Sequence, residues 1–386
     1  MIINNPTRKY IYFNRKSNEI QVDIYDLLSI NILRRVDINA HDRNILGYNI
    51  RPDQYNEVIE GIVPIPPRSR WVYDGTKFTC INNSAVPLNF SPDISELIEI
   101  SEKLCSVIFK KKVAIELSGG LDTSIIIGLV NHFGYDPFLI GMKSSRYEYR
   151  TESYIQDKFA KSFSDTCLLD SSDSLPFSNL LSTPAHQLPS ASSLYYMHAL
   201  RISKECSKKH IDIILSGNGF DTLLCENPNS LVNYTLPITW HTWMLDDNWY
   251  NENIYNKLNI GYYSGAASQI LIKSIWKIRS THSEDVKKKW ARRAFSEYLN
   301  SELVNYSYKA DYSGYFFDGF MNSKNEISDL FKIAYEITKF KEFKQSALDD
   351  LYIDAHLPNE KKDKSRLARV SLANWIFGLV RDKKIK

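Results

Sequence analysis

The chain has 386 residues, of which 43% are hydrophobic and 24% are charged, and its formal net charge at pH 7 is +3. The length favours two domains or three, and the many apolar side chains, with only 15 glycines and 14 prolines, exclude a mainly disordered, collagen-like or low-complexity chain. So small a net charge does not require a polyanionic partner, and we expect no nucleic-acid partner.

The first ninety residues are predicted to form short β-strands and turns. Residues 10–13 (YIYF) and 19–25 (EIQVDIY) are strand-like, and residues 70–81 (RWVYDGTKFTCI) contain the Asp-Gly pair typical of a β-hairpin turn. Residues 61–70 (GIVPIPPRSR) carry too many prolines for a helix or a central strand. A helical pattern begins near Ser91, so we place a domain boundary near residue 90.

From Lys111 the pattern changes to alternating strands and helices. The predicted strands are residues 113–117, 137–143, 165–170 and 211–215. Three helices are predicted: one that begins at Leu121, one over 151–163 and one over 193–210. This alternation predicts an α/β fold, a doubly wound parallel sheet with helices on both faces. From about Tyr255 to the end the pattern is mostly helical. We therefore expect a small β-rich domain over residues 1–90 and an α/β domain with a helical C-terminal region over 91–386.

The cysteines and the chain's apolar segments bear on its location. Five cysteines, at positions 80, 105, 167, 206 and 225, lie at irregular spacing without a C-x-x-C pair. An odd number at such spacing argues against a disulfide framework and against a zinc site. The N-terminus lacks the shape of a signal peptide, and no stretch approaches the roughly 20 apolar residues that span a bilayer. We expect a cytoplasmic protein with reduced thiols and no membrane partner.

The strongest functional motif is LSGGLDTS, residues 117–124, between a buried strand and an apolar helix. Gly119 and Gly120 permit a sharp turn that directs backbone N–H groups at one point, and the helix N-terminus adds positive partial charge, so the turn suits a phosphate or pyrophosphate. Asp122 beside a phosphate implies an intervening Mg²⁺, because the two negative charges otherwise repel each other. The hydroxyl groups that could act as donors belong to Ser118, Thr123 and Ser124.

The motif also has two other possible interpretations. It is not a Walker A loop, because the G-x-x-x-x-G-K-[ST] spacing and its lysine are absent. A purely structural alternative is a tight strand-to-helix turn in which Asp122 only complements the helix dipole. The full string in its strand–helix context favours the nucleotide loop over this alternative.

The motif resembles the S-G-G-x-D-S nucleotide loop of ATP-dependent adenylating enzymes of the pyrophosphatase type. Within that superfamily the chain resembles the synthetase domain of asparagine synthetase, β-lactam synthetase and the lasso peptide cyclases. A second motif, LSGNGFDTLLCEN at residues 215–227, supports the resemblance, because this family has S-G-x-G-x-D at that place. The matching positions are Ser216, Gly217, Gly219 and Asp221. Residues 186–196 also resemble the family segment that precedes the second loop.

The resemblance implies that ATP and Mg²⁺ are the cofactors. The positions it assigns to nucleotide binding are Leu117, Ser118, Gly119, Gly120, Thr123, Ser124, Ile140, Ser216 and Gly217. Among them, Ile140 matches the position in a strand (residues 138–142) whose backbone reads the adenine edge. Asp122 and Asp221 would be catalytic residues that ligate Mg²⁺ from the ends of neighbouring strands. For Asp221, a role in a turn beside Gly219 is the alternative.

Departures from asparagine synthetase narrow the expected function. That enzyme begins with a cysteine nucleophile, whereas this chain begins Met-Ile, and residues 1–90 are about half the length that a glutaminase domain needs. Residues 60–78 still resemble the end of that domain, so we interpret 1–90 as a reduced, inactive remnant. The attacking amine would then belong to the substrate. Asn218 and Thr222 replace two glutamates of asparagine synthetase, which points away from asparagine synthesis.

Two basic segments and one aromatic segment have two interpretations each. Family members carry a lysine after a Leu-Pro pair, which implies that Lys364, with Lys362 as second choice, stabilises negative charge in the transition state. For the lysines around 364, a solvated helix face is the alternative. The basic run at 287–293 would suit phosphate contacts, and for it too a solvated helix face is the alternative. The aromatic run at 306–320 suits a peptide pocket or, as is commoner at these spacings, helix packing.

Together these features predict an ATP-dependent ligase that forms amide bonds by adenylating a carboxylate, which an amine then attacks. The expected member is a lasso peptide cyclase that closes a macrolactam in a precursor peptide, with a leader-peptide protease as a candidate partner. A small-molecule amide or β-lactam synthetase is the alternative enzyme. A tRNA-modifying adenylating enzyme would predict a catalytic cysteine and a strongly basic face, and neither is evident. A non-catalytic nucleotide-binding partner subunit would be expected to have lost some of the motif residues.

Overall fold

The computed structural model of the chain describes residues 1–5, 10–41, 55–66, 69–81, 108, 110–144, 150–218, 253–264, 289–299, 313–353 and 360–385. The chain forms two compact units. The first unit comprises residues 1–83, 175–197 and 313–386, and the second comprises 84–174 and 198–312. The predicted domain boundary near residue 90, and the start of the helix predicted from Ser91, lie outside the described residues.

The described residues form the following strands and helices. The strands are β1 (Ile2–Asn5), β2 (Ile11–Asn14), β3 (Glu19–Gln21), β4 (Ile62–Ile65), β5 (Ser69–Tyr73), β6 (Phe78–Cys80), β7 (Val113–Glu116), β8 (Phe138–Lys143), β9 (Thr166–Asp170), β10 (Ile213–Ser216) and β11 (Gly261–Ser264). The α-helices are α1 (Ile30–Leu33), α2 (Leu121–His132), α3 (Arg150–Ser162), α4 (Tyr196–Lys208), α5 (Lys289–Ala294), α6 (Ser313–Asn322), α7 (Lys324–Thr338), α8 (Gln345–Ile353) and α9 (Glu360–Arg381). Short 3₁₀ helices span Ile24–Leu27, Ser171–Ser174, Leu180–Ser182, Ala191–Tyr195 and Lys341–Phe343.

The second unit is built on a five-stranded sheet with the strand order β11-β10-β7-β8-β9. All neighbouring strands in this sheet are parallel. From β7 the chain proceeds outwards through β8 to β9, and it then returns to the opposite side of β7 for β10 and β11. The direction of strand addition therefore reverses between β7 and β10, which is where open α/β sheets generally bind ligands. The α/β class and the parallel sheet predicted from the alternation are confirmed.

Helix α2 provides the apolar support of β7. Its sequence is apolar over most of its length, and Ile125 and Ile127 are completely buried. They share a core with Val113 and Ile115 of β7. Burying an aliphatic side chain of this size contributes about 1.5–3 kcal/mol. Because side chains alternate along a strand, Glu116 lies on the other face of the sheet from this core.

The first unit contains two three-stranded antiparallel sheets, with strand orders β1-β5-β6 and β3-β2-β4. Strands β5 and β6 form the hairpin predicted from the Asp-Gly pair. Gly75 has a φ of +104°, and the Asp74 carboxylate accepts hydrogen bonds from the backbone N–H groups of Thr76 and Lys77, both at 2.9 Å. Strand β4 contains Pro64 and occupies one edge of its sheet, in agreement with the prediction that this segment is not a central strand.

Two predicted elements differ from the structure. The strand expected over residues 19–25 ends at Gln21, because the Asp23 carboxylate accepts a hydrogen bond from the Tyr25 N–H at 2.9 Å and begins a 3₁₀ helix there. Strand β11 lies in the region expected to be helical. It is a four-residue edge strand that starts with Gly261, and its strand conformation depends on pairing with β10 rather than on its own pattern.

The helices α6 to α9 of the first unit enclose a large apolar core. The Phe177 ring lies 4.7 Å from that of Phe316 and 5.5 Å from that of Phe320. Trp375 of α9 is buried in the same core, and its Nε1 donates a hydrogen bond to the His186 carbonyl at 2.7 Å. Phe316 and Phe320 belong to the aromatic run at 306–320, so this part of the run takes the packing role.

Among the described helices, none has the length and apolar character that crossing a bilayer requires.

Candidate functional site

The two motifs meet at one edge of the parallel sheet. The first loop (residues 117–120) follows β7, and the described part of the second loop (residues 216–218) follows β10, the strand paired with β7 on one side. A Cβ atom placed on Gly217 would lie 2.9 Å from Thr123 Cγ2 and 3.0 Å from Thr123 N. A side chain at this position would therefore collide with the first turn of α2. The second loop therefore lies against the part of the first motif that begins α2.

The glycines of the first loop serve two different purposes. Gly119 has a φ of +81°, which favours glycine, and a Cβ atom there would lie only 2.8 Å from the Glu152 carbonyl carbon in the first turn of α3. Gly120 is the N-cap of α2, with φ −82° and ψ 170°. As a glycine it offers no side-chain acceptor to the N–H groups of the first helical turn. The first loop thus has both the turn and the helix N-terminus that the sequence predicts.

The three hydroxyl groups of the motif are not equivalent. Ser118 is exposed, its hydroxyl lies 2.9 Å from Thr123 Oγ1, and it accepts a hydrogen bond from the Gly120 N–H at 3.2 Å. Thr123 and Ser124 are 5% and 0% exposed. Their hydroxyls donate to the Gly120 carbonyl at 3.3 and 2.7 Å. Ser118 is therefore the hydroxyl best placed for a ligand, whereas Thr123 and Ser124 hold the loop in position.

Gln156, which belongs to no motif recognised in the sequence, supports the first loop through hydrogen bonds to backbone carbonyls. Gln156 of α3 is 2% exposed, and its Nε2 donates hydrogen bonds to the carbonyls of Leu117 and Met142, both at 2.9 Å. It joins the ends of β7 and β8, which approach so closely that a Cβ atom on Gly141 would lie 3.0 Å from the Leu117 carbonyl carbon. A glutamine on an amphipathic helix is usually solvated, so the sequence contains no signal for this contact.

Ile140, the predicted adenine-reading position, lies inside β8 between β7 and β9. Its side chain is completely buried, and its carbonyl accepts a hydrogen bond from the Leu117 N–H at 2.7 Å. The backbone carbonyl of Ile140 is thus engaged in the sheet. The adenine contact stays a prediction.

The second loop is held by a partly buried carboxylate, that of Glu116 on β7. Ser216 is 1% exposed; its hydroxyl donates to Glu116 Oε2 of the neighbouring strand and accepts from the Asn218 N–H at 3.1 Å. The hydroxyl of Tyr255, a completely buried residue, donates to Glu116 Oε1 at 3.3 Å. Burial raises the pKa of Glu116, and the hydrogen bonds from Ser216 and Tyr255 partly oppose that rise. The one sequence signal for this group is an acidic residue at the end of the apolar strand VAIE.

The carboxylate of Asp122 and the guanidinium of Arg292 carry opposite charges and interact with each other. Asp122, in the first turn of α2, is half-buried, and its carboxylate interacts electrostatically with the guanidinium of Arg292 on α5. Burial lowers the pKa of Arg292, and the Asp122 carboxylate partly opposes this effect. Arg293, the next residue, is exposed. Of the two arginines in the basic run at 287–293, Arg293 is therefore solvated, whereas Arg292 is half-buried and interacts with Asp122.

Several predicted residues are not placed at this edge. Gly219, Asp221 and Thr222 lie outside the described residues. Lys364 lies on α9, in the first unit, whereas the loops belong to the second, and its side chain is outside the described part of the chain. Within the described ranges, no group of three or more His, Cys, Asp or Glu side chains is close enough to hold a metal ion. The Mg²⁺ pair of Asp122 with Asp221 and the role of Lys364 stay predictions.

The chemistry of the described residues suits a phosphorylated ligand with a bound cation. The exposed Ser118 hydroxyl, the N-terminus of α2 and the Arg292 guanidinium favour phosphate oxygens. The Asp122 carboxylate supplies the kind of oxygen ligand that Mg²⁺ takes when phosphates complete its coordination. No protein-family profile matches this chain, and no curated protein matches it.

Proposed function

We propose that this chain is an ATP- and Mg²⁺-dependent enzyme that forms an amide bond by adenylating a carboxylate. The observation that supports the proposal is the contact of the two motifs where strand order reverses, with Gly217 against the first turn of α2. We further propose that the sheet is doubly wound, as in the adenylating synthetases. The reversal of strand order between β7 and β10 supports that arrangement.

Residues of the first loop and α2 would bind the phosphates. Ser118 and the first-turn N–H groups of α2 would donate to phosphate oxygens, and Asp122, with Asp221 as the second expected ligand, would hold Mg²⁺. The metal supplies positive charge that stabilises pyrophosphate as a leaving group. Asp122 lies at the right edge for this role, because it directly follows the turn that would bind the phosphates.

The proposed reaction has two steps. A carboxylate oxygen of the substrate forms a bond to the α-phosphorus of ATP while the bond to the bridging oxygen breaks and pyrophosphate leaves. The nitrogen of a substrate amine then bonds to the activated carbonyl carbon, AMP leaves, and the amine loses a proton to solvent. The chain's residues bind and orient the nucleotide in both steps, and the resemblance assigns charge stabilisation to Lys364.

For the substrate we propose a ribosomal precursor peptide whose own N-terminal amine closes a macrolactam. Asn218, where asparagine synthetase has a glutamate that acts on its nucleophile, supports a reaction other than asparagine synthesis. Its N–H is bonded to the Ser216 hydroxyl within the second loop. A small-molecule amide or β-lactam synthetase would use the same nucleotide chemistry with a smaller substrate.

Nucleotide binding and product analysis together test this function. The purified chain is titrated with Mg-ATP by calorimetry and then incubated with Mg-ATP and candidate precursor peptides whose Asp and Glu carboxyl groups carry ¹⁸O. We expect binding, AMP that contains ¹⁸O, and a peptide that has lost one water. ADP as the only nucleotide product would contradict carboxylate adenylation. Binding of Mg-ATP with no AMP formed would favour a non-catalytic nucleotide-binding subunit.

Replacement of Asp122 tests the metal assignment. We expect Asp122→Ala to reduce AMP formation at least about 100-fold, because the metal that stabilises pyrophosphate loses a protein ligand. Circular dichroism should show an unchanged fold. Asp136→Ala, which removes an exposed carboxylate of the same unit, is the matched control and should retain activity. Full activity in Asp122→Ala would rule out this carboxylate as a metal ligand.

A further inference from the structure

Helix α3 contacts the first loop at two points that are one helical turn apart. At the first point, the Glu152 carbonyl leaves no room for a Cβ atom on Gly119. At the second, Gln156 Nε2 donates hydrogen bonds at 2.9 Å to the carbonyls of Leu117 and Met142. Both partners are carbonyl oxygens, which only accept, so the nitrogen end of the amide must face them. Because residues four apart lie on the same side of a helix, one face of α3 makes both contacts.

The neighbouring face of α3 is bound to the end of β8. The Ser153 hydroxyl donates a hydrogen bond to the Ser144 carbonyl at 3.1 Å. One turn further along, Asp157 Oδ1 lies 2.5 Å from Lys143 Nζ. Ile155 is 3% exposed and belongs to the apolar core of the second unit. These contacts do not involve the first loop, so α3 is placed against β8 by interactions of its own.

Gln156 acts where the backbone ladder between β7 and β8 ends. The last pair of the ladder is Glu116 with Ile140, and the Leu117 N–H makes one more hydrogen bond, to the Ile140 carbonyl at 2.7 Å. The Leu117 carbonyl is the next backbone group. Among the described residues, Gln156 supplies its only hydrogen bond. The glutamine therefore holds the chain at the point where the strand becomes the first loop.

The bond to the Leu117 carbonyl also orients the first donor of the loop. The peptide bond between Leu117 and Ser118 is trans. Its C=O and N–H lie in one plane and point to opposite sides, so a carbonyl held towards α3 directs the Ser118 N–H away from α3. Neither the Ser118 N–H nor the Gly119 N–H has a hydrogen-bond acceptor within the described ranges. Consecutive N–H groups of this kind are donors that a phosphate can use.

We propose that Gln156 is a positioning residue that holds the Leu117–Ser118 peptide in the orientation that binds phosphate; this inference rests on the proposed function. Its amide acts through the first loop and does not contact the ligand. Because the N–H groups are oriented before the ligand arrives, binding does not have to order the loop, and the affinity for phosphate is higher. A side chain without N–H donors at position 156 would leave the peptide free to rotate.

Titration with Mg-pyrophosphate tests this role. We expect Gln156→Met, which has a similar length and no donor, to weaken Mg-pyrophosphate binding at least about tenfold, since binding must then order the loop. Ser153→Ala is the matched control, because it removes one hydrogen bond from the same helix to a carbonyl outside the first loop. The control should bind within about twofold of the unmodified protein, because its loss is one of stability alone. Calorimetry is performed at a temperature where circular dichroism shows each protein to be folded.

Gln156→Glu gives a result that a purely structural role would not produce. Burial raises the pKa of the new carboxyl group, which cannot donate when ionised and donates one hydrogen bond when protonated. Relative to the unmodified protein at the same pH, its affinity for Mg-pyrophosphate should be at least about threefold higher at pH 5 than at pH 8. The relative affinity of Gln156→Met should be the same at both pH values.

The outcomes separate this inference from the proposed function. If the unmodified protein binds neither Mg-ATP nor Mg-pyrophosphate, the proposed function fails and this inference fails with it. If it binds both, and folded Gln156→Met binds Mg-pyrophosphate as tightly as Ser153→Ala does, Gln156 has only a structural role. A relative affinity of Gln156→Glu that does not change with pH would also overturn the inference. Should Gln156→Met not fold, Gln156→Asn, whose amide is one methylene shorter, is measured in its place under the same criteria.

Discussion

The first and second loops lie at the same end of the parallel sheet, but different interactions hold them. In the first loop, side-chain hydrogen bonds end on backbone carbonyls, and Gly119 has a positive φ and lies against the backbone of Glu152. The second loop depends on side chains, since the Ser216 hydroxyl is bonded to Glu116, which also accepts from Tyr255. Each loop also has a glycine with no room for a side chain, Gly119 in the first and Gly217 in the second, but a carboxylate on a neighbouring strand holds only the second loop.

This difference predicts how each loop responds to substitution. In the first loop an added methyl group must displace backbone atoms, and these cannot move without shifting α3. At Glu116, which holds the second loop, a replacement that preserves hydrogen bonding should be tolerated, whereas one that removes it leaves buried hydroxyl groups without their acceptor. Three sets of substitutions test the comparison.

The largest expected effect is that of Gly119→Ala. The new methyl group would collide with the Glu152 carbonyl and also strain the backbone, so we expect loss of measurable Mg-ATP binding and a lower melting temperature. Gly134→Ala is the matched control, because Gly134 has nearly the same φ, +80°, with nothing within 4 Å of the added atom. In the control, the free energy of unfolding should fall by only about 1–2 kcal/mol, the cost of placing an alanine in the left-handed region. Equal effects in calorimetry and thermal unfolding would show that the contact with α3 is unimportant.

A smaller effect is expected for Glu116→Leu. This change removes the acceptor of the Ser216 and Tyr255 hydroxyls, and two unsatisfied buried groups should lower the free energy of unfolding by about 2–5 kcal/mol. Glu116→Gln keeps an acceptor and should cost less than about 1 kcal/mol. Urea unfolding measures both. In a double-mutant cycle with Ser216→Ala, the coupling should be at least about 0.5 kcal/mol, and strict additivity would contradict the proposed contact.

The smallest effect concerns pH. Burial raises the folded-state pKa of Glu116 above its usual value of 4.5, so the stability this group contributes is present below pH 4.5 and is lost as pH rises through the folded pKa. Glu116→Gln has no such loss. The free energy of unfolding of Glu116→Gln, measured relative to that of the unmodified protein, should therefore increase as pH rises above 4.5. The first loop, residues 117–120, contains no titratable side chain.

Other titrating groups do not obscure this comparison. Burial lowers the pKa of His41 and His186 to about 4, so both proteins lose stability as pH falls below 6.5. These histidines are the same in both proteins and cancel in the difference. If the difference in free energy of unfolding between the two proteins stays constant from pH 4 to 8, the pKa of Glu116 is not raised in the folded state.

Much of the fold could be predicted because it follows from local pattern. The four strands expected between residues 113 and 215 are present, as are the helix from Leu121 and the helix over Arg150–Ser162. The hairpin at Asp74-Gly75 could also be predicted, since its turn needs only its own residues. Strand β11 could not, because four residues beginning with glycine become a strand only beside β10.

The sequence by itself determined the first loop and the position of both loops at strand ends. A Gly-Gly pair between an apolar strand and an apolar helix encodes its own backbone conformation. Only the tertiary structure decided that Gln156 joins two strand ends, that Glu116 holds Ser216, and that Arg292 interacts with Asp122. Their partners lie tens to hundreds of residues away in the chain. A local sequence pattern reflects the conformational preference of a backbone segment. The role of a polar side chain depends instead on which group, distant in sequence, the tertiary packing brings next to it.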